Sequence, residues 1–302
     1  MLRHRLLFGP ILIVLLLAVA WADQFLQERT GRAALLLFPL MALVDILAAR
    51  ELTALFRARK ITTSFRVNTL AVVLGLIASS LTVREAGPIS GVAVVCTAAG
   101  IVYCTSLLFY SRGQNVDGVV SASAATLLVF TYIGLLGGFI VMLRKEYSAW
   151  LLIAVVLTIK SCDIGAFAFG KLFGRHKLIP WLSPGKTWEG LFGGVLFSGL
   201  VGAGMTVVLR SIPEQPAFTI WQGVLAGLIF GFLGQAGDLA ASLLKRDAGV
   251  KDYSHTLPGF GGVLDVLDSP LLVVPVAYWL LKLTEIDATG KIVEAAKSSG
   301  WW

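Results

Sequence analysis

The chain has 302 residues, of which 57% are hydrophobic and only 14% charged, against about a quarter charged in an ordinary globular domain. That balance excludes a soluble protein, and three cysteines exclude a disulfide-built secreted scaffold. The formal charge of +7 lies mostly in short loops between apolar runs, which points to a membrane surface or an anionic substrate and away from nucleic acid.

A hydrocarbon core about 30 Å thick needs roughly 20 apolar residues in a helix. Nine runs approach that length, at 6–22, 33–49, 67–83, 89–110, 119–143, 147–170, 188–210, 220–242 and 269–284. They predict an all-α, polytopic integral membrane protein of about nine transmembrane helices. It reads as one domain over 1–302, with lipid-pocket and packing helices in 1–150, a motif-bearing region in 151–275 and a short amphipathic tail in 285–302. The first run follows Arg3, His4 and Arg5 as a signal peptide would, but charge and no small-residue cleavage site comes after it, so it reads as a helix. With the N-terminus inside, Lys and Arg divide 15 to 9 in favour of the cytoplasmic segments. The polar loops at 171–187 and 243–268 then share the cytoplasmic face. Because only two helices separate them, that pairing survives any miscount earlier in the chain.

Charge is scarce, so its placement is informative. Asp45, alone in the second run, suits a headgroup position or a function equally. Lys160 and Asp163 lie three residues apart on one face of the sixth run; such a pair at membrane depth is either a self-neutralised structural pair or part of a polar cavity. In Ser183-Pro184-Gly185-Lys186-Thr187-Trp188-Glu189-Gly190, serine then proline reads as an N-cap and first helical position, with Lys186 in the first turn. A cation there opposes the helix dipole unless an anion such as phosphate occupies the helix end; the alternative is interfacial anchoring by lysine and tryptophan. Gly190, Gly194, Gly199, Gly202 and Gly204 indicate close helix packing.

The densest stretch runs from Gly237 to Pro270. Helical spacing puts Asp238, Ser242 and Lys245 within about 40° of one another on one face. Arg246, Lys251 and Asp252 follow, then Pro258-Gly259-Phe260-Gly261-Gly262, a turn whose backbone can approach a ligand closely, and then Asp265 and Asp268 at the start of the last helix. Mg²⁺ takes one or two carboxylates and completes its shell with water and phosphate oxygens, so Asp238, Asp265 and Asp268 are candidate ligands. Lys186, Lys245, Arg246 and Lys251 are candidate phosphate contacts. No Ser-His-acid arrangement or Cys/His zinc spacing is visible, and His4, His176 and His255 are scattered. Metal-assisted phosphoryl or nucleotidyl transfer is the chemistry that fits.

These residues resemble the phosphatidate cytidylyltransferases, or CDP-diglyceride synthases. The family's gapped signature is similar to Ser242, Lys245, Arg246, Lys251, Asp252, Pro258, Gly259, Gly261, Gly262, Asp265 and Asp268, and the stretches around Asp163 and Lys186 also match family patterns. The resemblance covers about 155–275. Phe260 and Val266 stand where the family commonly has histidine and arginine. The resemblance implies that CTP and phosphatidate give CDP-diacylglycerol and pyrophosphate in phospholipid biosynthesis, with Mg²⁺, and room for a second monovalent or divalent cation. It implies Asp238 and Asp265 as metal ligands, and Asp163, Lys186, Ser242, Lys251, Asp252, Gly261 and Gly262 around the substrates. A bacterial inner-membrane location, contact with membrane lipid and a homodimer are further expectations. Two other readings stay open: a CTP-dependent kinase or cytidylyltransferase acting on another lipid, and an ion-coupled transporter, for which glycine-interrupted helices speak but repeat-related halves are missing.

Overall fold

The computed structural model describes residues 2–81, 91–112, 116–213, 215, 218–254, 256–257, 259 and 261–288. Its helices are α1 (Leu2–Thr30), α2 (Leu37–Ala58), α3 (Phe65–Leu81), α4 (Gly91–Tyr110), α5 (Val119–Val129), α6 (Leu136–Glu146), α7 (Ala149–Phe173), α8 (Trp188–Arg210), α9 (Ile220–Asp247) and α10 (Val263–Ala288). A π-helical segment, Phe130–Leu135, joins α5 to α6 as one rod, so the nine predicted runs correspond to nine rods among the described residues. Six are long and apolar enough to cross a membrane, and α3, at 17 residues, is shorter. The fold is an all-α polytopic membrane bundle; among the described residues six helices meet the length and apolarity of a span, so the expected count of nine crossings is not confirmed. Most of the predicted tail, and with it His255, Pro258 and Phe260, lies outside the described residues.

Local chemistry sets several helix ends. Ser148 caps α7 by accepting from the Leu151 amide at 3.1 Å, and Thr219 with Gln222 forms a full capping box on α9. At the other end of α9, Gly249 is left-handed (φ +73°), and the Gly249 and Val250 amides return to the Arg246 and Lys245 carbonyls in a Schellman closure. One segment departs from the predicted helix start. Ser183–Thr187 forms strand β2, paired antiparallel with β1 (Lys177–Ile179). Thr187, not Ser183, caps α8, accepting from the Gly190 amide at 3.1 Å. Sequence periodicity could not show a three-residue strand whose partner follows after only three residues.

Helices α7, α8 and α9 pack through backbone. A Cβ at Gly194 would lie 2.7 Å from the Cys162 carbonyl, one at Gly190 2.9 Å from the Ala166 carbonyl, and one at Gly202 2.3 Å from the Gly223 carbonyl. Apolar side chains offer no gain over lipid tails inside a bilayer, so such close approach supplies much of the cohesion. Gly204 departs from the predicted packing stripe, since its missing side chain faces open space. Asp45 is fully buried beside Gly137, with neither carboxylate oxygen hydrogen bonded, which sets aside the headgroup position.

Contacts sort by face. The end of α2, the β-hairpin and the α9–α10 loop meet at one face through Arg59–Asp247 (2.8 Å), Ser254–Glu51 (2.6 Å) and Arg246 to the Leu182 carbonyl (3.2 Å). At the opposite face Asp23 and Arg144, each 1% exposed, form an ion pair at 2.8 Å. Glu146 there accepts from the Tyr278 hydroxyl and pairs with Lys282. The stripe of close contacts makes a direct prediction. Gly202→Ala lowers stability by about 1–3 kcal/mol through overpacking, while Gly204→Ala leaves it unchanged or slightly higher; thermal unfolding in detergent separates the two.

Candidate functional site at one face of the bundle

The site is assembled where α7, α9 and α10 cross beneath the hairpin. Gly237 opens the crossing: a Cβ there would lie 2.8 Å from the Asp268 carbonyl, so only glycine lets α10 approach α9 this closely. The approach brings Asp268 beside Asp238, one residue further along α9. Pro270 follows Asp268 within α10, and the Asp268 carboxylate takes the Ser269 amide at 2.6 Å and the Ser269 hydroxyl at 3.1 Å. From α7, Asp163 points to the same place, where Gln235 holds it with a hydrogen bond of 3.1 Å. Asp163 and Asp268 both lie within the field of Asp238.

Three like charges in an apolar bundle require counter-ions, and the chain supplies lysines from separate elements. Lys186, carried on β2, meets Asp238 at 2.7 Å. Lys160 stands between Asp163 and Asp268, 3.7 Å from each. Lys245, on α9, pairs with Asp265 at 2.7 Å and stacks over the Tyr253 ring at 5.3 Å. Thus the structure gathers Asp163, Lys186, Asp238, Lys245, Asp265 and Asp268 in one region, together with Lys160.

The remaining candidates are placed differently. Besides Lys245, Asp265 accepts the Tyr253 amide at 3.0 Å and the Gly262 amide at 2.8 Å, so it ties down the turn that opens α10. Gly261, at φ +92°, closes that turn against Leu257, and a Cβ there would meet the Asp265 carboxylate at 2.7 Å. Arg246 turns toward the Leu182 and Val250 carbonyls, bracing the hairpin against the loop. Ser242 is half-buried, and Lys251 and Asp252 are exposed on the loop. Among the described residues no three His, Cys, Asp or Glu side chains form a ready metal cage.

Glu51 on α2 plays a part that the sequence reading missed. It is buried, and its carboxylate accepts from the Val263 amide (2.9 Å), the Leu264 amide (2.9 Å) and the Ser254 hydroxyl (2.6 Å). An acid from the second helix therefore caps the last one, satisfying two of the four amides that a helix start leaves open. Gly262 leaves it room, since a Cβ there would lie 2.5 Å from the carboxylate. The available signal was an α10 start with no Ser, Thr, Asn or Asp at its cap, which demands an acceptor from elsewhere.

The fold and site together define a polytopic helical membrane protein with lysine-neutralised carboxylates gathered at one face. A sequence model of the Cytidylyltransferase family matches residues 3–284, and the chain belongs to that family. It is 34% identical over 196 residues to a protein of Escherichia coli (strain K12) described as uncharacterized protein YnbB, covering 64% of this chain and 59% of that one. It is 38% identical over 159 residues to a phosphatidate cytidylyltransferase of Staphylococcus epidermidis, covering 53% and 59%. With a phosphatidate cytidylyltransferase of Mycobacterium bovis it shares 35% over 164 residues, covering 54% and 51%. The chain thus spans between a half and three fifths of these relatives.

The Glu51 cap is open to test. Glu51→Ala leaves two helix-start amides and one hydroxyl without their acceptor and costs about 1–3 kcal/mol. A lower unfolding temperature in detergent, with faster proteolysis in the α9–α10 loop, is the expected result.

Proposed function

We propose that the protein is a CTP:phosphatidate cytidylyltransferase, joining a cytidylyl group to a membrane lipid phosphate and releasing pyrophosphate. The observation that carries this reading is the set of lysine–aspartate pairs drawn from α7, β2, α9 and α10 to one face of the bundle. Family membership and the curated names of two relatives support it. The charge bias of the loops supports a cytoplasmic site in a bacterial inner membrane, where soluble CTP can meet a lipid whose head lies at the interface.

The chemistry needs little from a protein nucleophile. An ionised oxygen of the phosphatidate phosphate attacks the α-phosphorus of CTP. The bond from that phosphorus to the bridging oxygen breaks, and pyrophosphate leaves with the electron pair. The obstacle is bringing two polyanions together and holding the charge that gathers on the leaving group. Lys186, Lys245 and Lys160 are cations already in place, each held by a carboxylate until phosphate oxygens compete for it. Asp238 and Asp268, side by side, fit a Mg²⁺ shell that takes one or two carboxylates and fills the rest with water and phosphate, with Asp265 adjoining. When bound, Mg²⁺ supplies charge neutralisation at the phosphates.

The test is pyrophosphate release by the purified protein in detergent micelles containing phosphatidate, with CTP and Mg²⁺. Turnover with CTP, abolished by EDTA, absent with GTP and lost by at least 100-fold in Asp238→Asn at unchanged thermal stability, is the expected outcome. Release of CDP in place of pyrophosphate would assign a kinase, and near-normal turnover in Asp238→Asn would remove that residue from the metal site.

A further inference from the structure

Residues 1–150 carry no motif, yet besides Glu51 they bring a second polar group toward the site. The rod from Val119 to Glu146 is ordinary α-helix on both sides of Phe130–Leu135, where it widens to a π-helix. Such a segment costs hydrogen-bond geometry and is frequent at functional sites. Here it is pinned on one side: Gly134 lies against Gly75 of α3 so closely that a Cβ at Gly134 would stand 2.7 Å from the Val72 carbonyl. Phe130 and Ile133 are fully buried. Tyr132, just before Ile133, packs against the cluster that contains Tyr253, Leu264 and Leu271, and Tyr253 itself lies under Lys245 and donates its amide to Asp265. Its hydroxyl is buried without a hydrogen-bond partner. That oxygen lies within the electrostatic reach of Asp238 and Asp268, on the side of the rod that faces the carboxylate site.

A buried hydroxyl left unsatisfied carries a desolvation cost that phenylalanine would avoid. The π-helical turn, the glycine contact that anchors it and the unsatisfied oxygen all converge on one place. We infer that Tyr132 is a substrate-contacting residue, whose hydroxyl donates to a phosphate oxygen of the bound anionic substrate. This rests on the cytidylyltransferase reading and adds to it the part played by the first half of the chain. Lipid phosphate and nucleotide phosphate share the chemistry, and the experiment separates them.

Tyr132→Phe removes one oxygen and keeps the ring. In detergent without ligand the variant unfolds at the same temperature as the wild type or higher, since only an unsatisfied hydroxyl is lost. Its KM rises about tenfold for either CTP or phosphatidate, the equivalent of about 1.4 kcal/mol. Stabilisation against heat by that same compound, tested as CTP with Mg²⁺ or as phosphatidate in mixed micelles, shrinks in parallel. The substrate whose KM moves is the one that Tyr132 touches. A lower unfolding temperature with both KM values intact would make Tyr132 a packing residue and overturn the inference. So would wild-type kinetics beside a wild-type enzyme that turns over, leaving the cytidylyltransferase reading standing. A wild type that neither turns over nor is stabilised by either compound would overturn both.

Discussion

Carboxylates gathered inside a bundle of apolar helices set the terms on which this fold is built. Asp163, Asp238, Asp265 and Asp268 come from three helices, and each has a lysine within salt-bridge distance. An uncompensated buried charge is severely destabilising, whereas a paired one is roughly neutral. The pairs therefore explain tolerance of the charges better than they explain stability. What they secure is placement: Lys186 holds a strand to α9, and Lys160 holds α7 to α10. In the proposed reaction the same ammonium groups would exchange carboxylate for phosphate.

The placement depends on backbone more than on side chains. Gly237 lets α10 touch α9, and Gly190 and Gly194 set α8 against α7. The hairpin turns between α7 and α8, and Arg246 braces it against the α9–α10 loop. Each of these features brings an otherwise distant charged residue to a common point. The π-helical segment brings the neutral Tyr132 from the motif-free half of the chain against the same region of the bundle.

The helices were legible because the apolar runs are long and punctuated, and all nine coincide with helical rods. Membrane crossing was less so, since α2 is long enough to span yet carries Asp45, Arg50, Glu51 and Arg57. Asp238, Asp163 and Lys186 could be singled out because charge is rare in apolar sequence. Lys245 and Asp265 were found as well, but their pairing with each other was not, because it depends on a left-handed turn at Gly249 and a cap at Gly262. Arg246 looked like a phosphate ligand in the sequence, whereas its guanidinium braces carbonyls. Glu51 and Tyr132 were invisible, since a single acid or phenol in a helix says nothing of a partner more than a hundred residues away.

The Glu51 cap also orders assembly in time. Its amide partners Val263 and Leu264 lie 212 and 213 residues downstream. At roughly 5–20 residues per second, a ribosome needs about 10–40 s to make that stretch. Through that interval α2 carries a carboxylate whose final donor partners do not yet exist, so it must stay at the aqueous boundary or find temporary partners. The closing of the bundle around its second helix is thus a late event, set by arrival of the last helix. A nascent chain halted before residue 263 would hold its early helices without the lock that fixes α2 in the finished protein.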